Sequence, residues 1–163
     1  PDLKIIASQD LSVKSAVESL SQGLPGNIAE EVALYSDIKR IYISLGCNDL
    51  SFSAEEFGEN YSALVLALRK VMPKATVYLQ PIIPTAAYYQ PGLKGADNSK
   101  IAAFNNVIME TAKARSIHYI DTAAAFVTPS GALSEDFTVD GLHLTGKGFY
   151  IMFDYIKKHT VPN

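Results

Sequence analysis

Asp140 and His143 stand three residues apart in the run TVDGLHLTGKG, residues 138–148, just ahead of a final helical pattern. A carboxylate at that spacing, in a turn leading into a helix, can curl back to accept the imidazole Nδ1–H. Nε2 is then left as a general base, which is the orienting logic of a hydrolase triad. The plain alternative is that Asp140 closes a turn and His143 is a semi-exposed ring before Thr145 caps the helix. The spacing alone does not separate the two.

A second candidate is ISLGCNDLS, residues 43–51, where an apolar run leads straight into Gly46, Cys47, Asn48 and Asp49. Glycine permits a sharp exit from a strand. Asn48 at the strand's carboxyl end can aim its side-chain amide at a developing oxyanion without changing charge. The alternative is a turn built from Gly, Asn and Asp because they tolerate left-handed backbone. Cys47 is expected to be a small, half-buried thiol rather than a nucleophile.

The elements that must position these residues alternate. Four short apolar runs, LKIIAS (3–8), RIYISL (40–45), TVYLQPII (76–83) and IHYID (117–121), read as strands buried on both faces of a parallel sheet. Helical patterns lie between them. SVKSAVESLSQG places Val13, Ala16, Val17 and Leu20 on one face and stops at Gly23, while GNIAEEVALYSD is a shorter candidate. In SAEEFGENYSALVLALRKVMP, Ser53 predicts an N-cap with Glu56 completing a capping box, and Phe57, Tyr61, Leu64, Leu68 and Val71 form the stripe. NSKIAAFNNVIMETAKAR repeats the pattern with Ile101, Phe104, Ile108 and Ala112, and GKGFYIMFDYIKKH closes the chain. Strand–helix alternation of this kind predicts an α/β protein with a parallel sheet and right-handed crossovers, in one domain over residues 1–163. The longest irregular stretch, PTAAYYQPGLKGADN (84–98), follows the third run and carries Tyr88 and Tyr89, candidates for substrate contact. They read equally well as surface aromatics packing a long loop.

Composition narrows the chemistry. The 163 residues are 48% hydrophobic and 19% charged, a globular balance, and a net charge of −3 without a basic stripe argues against nucleic-acid binding. No apolar run approaches the roughly 20 residues of a membrane span. The chain opens on PDLK, without an initiator Met or a signal-peptide pattern, which fits a processed or truncated product. One cysteine excludes an internal disulfide and a cysteine-cluster zinc site, and His118, His143 and His159 are scattered. No metal and no cofactor are expected. Cytoplasm and export both fit the low cysteine content.

Taken together, GxND after an early strand and DGxHL before the last helix resemble blocks III and V of the SGNH hydrolases, also called the GDSL esterase/lipase family. The likeness extends to IIPT after the third run, to the AAFNNVIMETAKARSIHYID unit and to GKGFYIMFDYI, and is closest to small bacterial members. The resemblance implies a three-layer α/β/α sandwich of the flavodoxin-like kind. It implies an esterase acting through an acyl-enzyme, with short acyl groups, such as carbohydrate acetyl esters, favoured. It also implies roles: His143 as general base, Asp140 as its orienter, Asn48 as an oxyanion donor and Gly46 as the residue shaping the block III turn.

The family's nucleophile is a serine in an N-terminal Gly-Asp-Ser motif after the first strand, and neither that motif nor GxSxG occurs here. In one explanation, LKIIASQDLSV is the family's second strand and block II, and the nucleophile lies upstream. In the other, SQDLS is a degraded block I, and the protein is a non-catalytic binding or scaffold module or recruits Ser8 or Ser12. The family's first strand lies inside the sheet, so its loss leaves unpaired backbone on two neighbours, whereas an edge strand is lost more cheaply. Likeness of sequence favours the first explanation. In both, Gln9 or Asp10 replaces the block II glycine whose N–H is the second oxyanion donor.

Overall fold

The computed structural model describes residues 4–22, 37–90 and 97–162. Three parallel strands, β1 (Arg40–Ile43), β2 (Thr76–Leu79) and β3 (His118–Tyr119), form a sheet in the order β1-β2-β3. Ile43 pairs with Leu79 and Leu79 with Tyr119, while Tyr42 pairs with Tyr78 and Tyr78 with His118. Because side chains alternate along a strand, these two rows lie on opposite faces. Ile41, Ile43, Val77, Leu79 and Tyr119 join the main core with residues of three helices: α1 (Val13–Gln22), α2 (Ala54–Val71) and α3 (Asn98–Ala114). The other row stacks as a ladder of rings, Tyr42 on Tyr78 and Tyr78 on His118, with centroids 4.9 Å apart at each step. On that side the Tyr42 hydroxyl meets Thr160, at the end of α4 (Gly146–His159). Helices on both faces of a parallel sheet make a flavodoxin-like α/β/α fold, as expected.

Local chemistry sets the helix starts. Ser53 Oγ accepts the Glu56 N–H, Asp97 Oδ1 accepts from Lys100 and Thr145 Oγ1 from Gly148. On α3 the expected stripe of Ile101, Phe104, Ile108 and Ala112 is buried. On α2 the stripe differs: Val65 is buried, and Val71, the last residue of the helix, is 47% exposed. Gly23 and nearly all of GNIAEEVALYSD lie outside the described residues.

The strand expected at 3–8 is not formed over its described part. Residues 4–8 are irregular and exposed, with Ile5 62% and Ile6 37% accessible. A strand exists only by pairing, and no described residue offers this run a ladder. The other runs are shortened for local reasons. β2 stops at Leu79 because Pro81 has no N–H to continue the ladder, and the Ile82 N–H turns to the Asn105 side chain at 2.8 Å. Among the described residues β1 is paired on one side only, to β2. No described helix is long and apolar enough to cross a membrane.

Candidate active site

Gly46 makes the exit from β1 with φ +130°, a conformation that side chains rarely adopt. A Cβ there would lie 2.8 Å from Ile82 Cδ1 and 3.0 Å from Phe57 Cζ, so the backbone rests directly on the core. The turn closes through the Asp49 N–H to Gly46 O at 3.0 Å, and Cys47 points outward, exposed rather than half-buried.

Asn48 and Asp49 reach from this turn to one distant segment. Asn48 Nδ2 donates to the carbonyls of Gln9 and Leu11, each at 3.0 Å. Asp49 is fully buried and accepts the Val13 N–H at 3.1 Å and 2.9 Å on its two oxygens, with a longer contact from Lys14 N at 3.5 Å. Burial pushes its pKa above the ordinary carboxylate range, and those N–H groups oppose the rise. Helix α1 has no acidic residue in its own first turn, so Asp49 supplies the negative charge that its N-terminus favours. The sequence reading missed this carboxylate. The available signal was an apolar helix start without an acidic first turn, together with an aspartate at the end of a strand.

Asp140 and His143 form a pair. Asp140 Oδ2 lies 2.6 Å from His143 Nδ1, and Oδ1 accepts the backbone N–H groups of Leu142 at 2.9 Å and His143 at 2.8 Å. The Thr138 hydroxyl donates to the same oxygen and accepts the Gly141 N–H. These donors, the imidazole first, hold the Asp140 pKa well below the usual carboxylate value. An ionised carboxylate only accepts, so Nδ1 carries the hydrogen, and in the neutral ring Nε2 presents its lone pair. The His143 side chain is 77% accessible, and no described residue hydrogen-bonds to Nε2.

The segment after β2 touches both stretches. Ile82 lies against Gly46, and further along the Ala86 N–H donates to Gly141 O at 2.8 Å. Gly141 has φ +80°, and a Cβ on it would meet Tyr88 Cε2 and Tyr89 Cβ at 3.1 Å each. Tyr88 and Tyr89 therefore pack beside the Asp140–His143 turn. Asn98 and Asn105 of α3 fasten this segment by paired bonds to the backbones of Thr85 and Ile82. Neither candidate serine reaches His143. Ser12 Oγ and Ser15 Oγ exchange bonds at the start of α1, and Ser8 contributes its carbonyl to the Leu11 N–H. No group of three or more His, Cys, Asp or Glu side chains among the described residues is arranged to hold a metal ion.

Residues 9–151 match the GDSL-like Lipase/Acylhydrolase family. A human platelet-activating factor acetylhydrolase IB subunit alpha2 is 28% identical over 111 residues, 68% of this chain and 47% of its own length. The chain thus spans about half the length of the curated relatives it matches. A GDSL-like lipase from Bacteroides thetaiotaomicron superposes with a TM-score of 0.71 at 23% identity, covering 91% of this chain and 70% of that one. Est24, a carbohydrate acetylesterase from Sinorhizobium meliloti, gives 0.65 at 14% identity, covering 96% and 87%. The match spans the strand-end turn, the segment after β2 and the Asp140–His143 turn alike, and the chain belongs to the GDSL-like lipase/acylhydrolase family.

Proposed function

We propose that this chain carries the acid–base half of a serine esterase that works through an acyl-enzyme. The observation that carries the reading is the 2.6 Å Asp140–His143 pair, its carboxylate tethered by two backbone N–H groups and its Nε2 open to solvent. A hydroxyl delivered to Nε2 loses its proton as it attacks an ester carbonyl. His143 then returns that proton to the leaving alcohol, while Asp140 steadies the imidazolium. The nucleophile is a serine on a segment N-terminal to these residues. The engagement of Ser12 Oγ with Ser15 Oγ, away from His143, supports a nucleophile on another segment.

Asn48 is the oxyanion donor in this reading. Both of its Nδ2 hydrogens are engaged, but the bond to Gln9 is exposed and the bond to Leu11 partly buried. An ester oxyanion is a stronger acceptor than a neutral carbonyl and displaces Gln9 first. Gly46 holds the turn that presents Asn48. Tyr88 and Tyr89, against Gly141, form the wall on which the acyl or alcohol group rests. Short acyl groups, including acetyl esters of carbohydrates, are the proposed substrates. They fit the acetyl-ester chemistry in the names of the human and Sinorhizobium relatives. The competing reading, a binding module without a nucleophile, draws on the lack of a described hydroxyl at His143.

The test is hydrolysis of p-nitrophenyl acetate by the native protein and by His143→Ala. We expect turnover that falls by roughly two to four orders of magnitude in the variant. A wild-type protein with no activity leaves the binding-module reading in its place, and a variant with an undiminished rate removes His143 from the mechanism.

A further inference from the structure

Asp49 is a fully buried carboxylate that the proposed reaction does not use. Its neighbour Asn48 holds the same distant segment from the opposite chemical side. The amide takes the carbonyls of Gln9 and Leu11, and the carboxylate takes the N–H of Val13 with a longer contact to Lys14. We propose that Asp49 is a positioning residue for Asn48: by holding the first N–H groups of α1, it fixes the two carbonyls that aim the Asn48 amide. This rests on the reading of Asn48 as an oxyanion donor and adds to it the residue that sets its direction.

Helix capping alone accounts poorly for the arrangement. Helix α1 already has a local cap, because Ser12 Oγ accepts the Ser15 N–H at 3.0 Å and Ser15 Oγ accepts the Ser12 N–H at 3.0 Å. The two N–H groups left over would ordinarily be satisfied by water or by a nearby polar side chain. Instead a carboxylate 36 residues away in sequence is taken fully out of water to meet Val13, at the desolvation cost that raises its pKa. The Tyr61 hydroxyl beside it is pushed upward too, first by its own burial and then by the Asp49 charge.

The carboxylate is rigidly mounted at both ends. Its backbone N–H closes the turn on Gly46, whose φ of +130° and contact with Ile82 and Phe57 leave that turn little freedom. Its acceptor target, Val13, is fully buried in the core, as is Ala16 one turn on. Gln9 and Leu11 are one short step from Val13 along the chain, so anchoring Val13 limits where their carbonyls can lie. Without Asp49, the exposed Gln9 end of the segment would be free to swing, and the Asn48 amide would follow its acceptors. A geometric error of about 1 Å at a reacting group costs up to about a hundredfold in rate.

The decisive readout is the Asn48 side-chain amide in ¹⁵N NMR, with Asp49→Ala and Asp49→Asn compared to the unmutated protein. In Asp49→Ala, hydrogen exchange at Asn48 Nδ2 should accelerate by roughly tenfold or more, while the buried α2 and α3 amides stay protected. Asp49→Asn keeps one oxygen for Val13 and should lie between the two. If Asp49→Ala does not fold, the Asp49→Asn comparison decides alone. Faster exchange at the α1 N-terminus with an unchanged Asn48 signal would make Asp49 a helix cap only and overturn the proposal. With p-nitrophenyl acetate, Asp49→Asn should lower kcat roughly tenfold to a hundredfold and leave KM nearly unchanged. A raised KM with intact kcat would also overturn it. Lack of turnover in the unmutated full-length protein, with its N-terminal segment, would remove the esterase reading, while the NMR comparison would still report on Asp49.

Discussion

Asp140 does its work through position more than through burial. Its pKa is depressed because its ionised oxygens accept hydrogen bonds from several donors, the His143 imidazole foremost. A carboxyl group with a folded pKa below its unfolded value stabilises the structure above the unfolded value, and that contribution fades as pH falls through the folded one. The 138–144 turn should therefore keep its hydrogen bonds through mildly acidic solution and lose them only in strong acid, which a ¹³C-carboxyl NMR titration of Asp140 can follow. A titration midpoint at the ordinary aspartate value would mean that the His143 contact is not formed in solution. This pair was legible in the sequence because all of its bonds run between residues 138 and 143. The partners of Asn48 and Asp49 were not, because they lie 35 to 39 residues away and only the fold brings them together.

At the scale of elements, the site depends on backbone conformations that only glycine accommodates. Gly46 ends β1 with φ +130° above Ile82 and Phe57, so Gly46→Ala combines backbone strain with crowding against the core. We expect a loss of about 1–3 kcal/mol in chemical denaturation, with unfolding still cooperative. A variant as stable as the parent would show that the turn relaxes without strain. Helix positions were read well where the apolar stripe met a partner along its length, as on α3. Reading failed at Val71, since a stripe pattern does not say where the opposing surface ends. The run at 3–8 failed for a deeper reason. β-branched apolar residues favour a pleated strand, but the ladder's hydrogen bonds come from a neighbour that local sequence does not name.

At the scale of the whole molecule, the described residues cover the two faces of the sheet unequally. The face under α1, α2 and α3 is closely packed, with Phe57, Tyr61, Val65, Phe104 and Ile108 fully buried. Helix α4 buries only Gly148 and leaves Phe149, Tyr150 and Phe153 exposed at 47%, 75% and 42%. Together these three rings make an apolar helix face that a further segment of chain, packed against it, would bury. Joining the N-terminal segment proposed to carry the nucleophile should lower binding of a hydrophobic dye and raise Tm by roughly 5 °C or more. Equal dye binding and equal Tm with and without that segment would place the nucleophile elsewhere.

The sequence by itself determined the alternation of strands and helices, the caps at Ser53 and Thr145, and the Asp140–His143 couple. Each of these is decided by residues within a turn or two of one another. The tertiary structure decided which runs became strands, that Asn48 and Asp49 grip the backbone of residues 9–14, and that Tyr88 and Tyr89 pack on Gly141. Those outcomes depend on pairing and close approach between segments far apart in the chain, and such contacts form only when the buried core has set the distances.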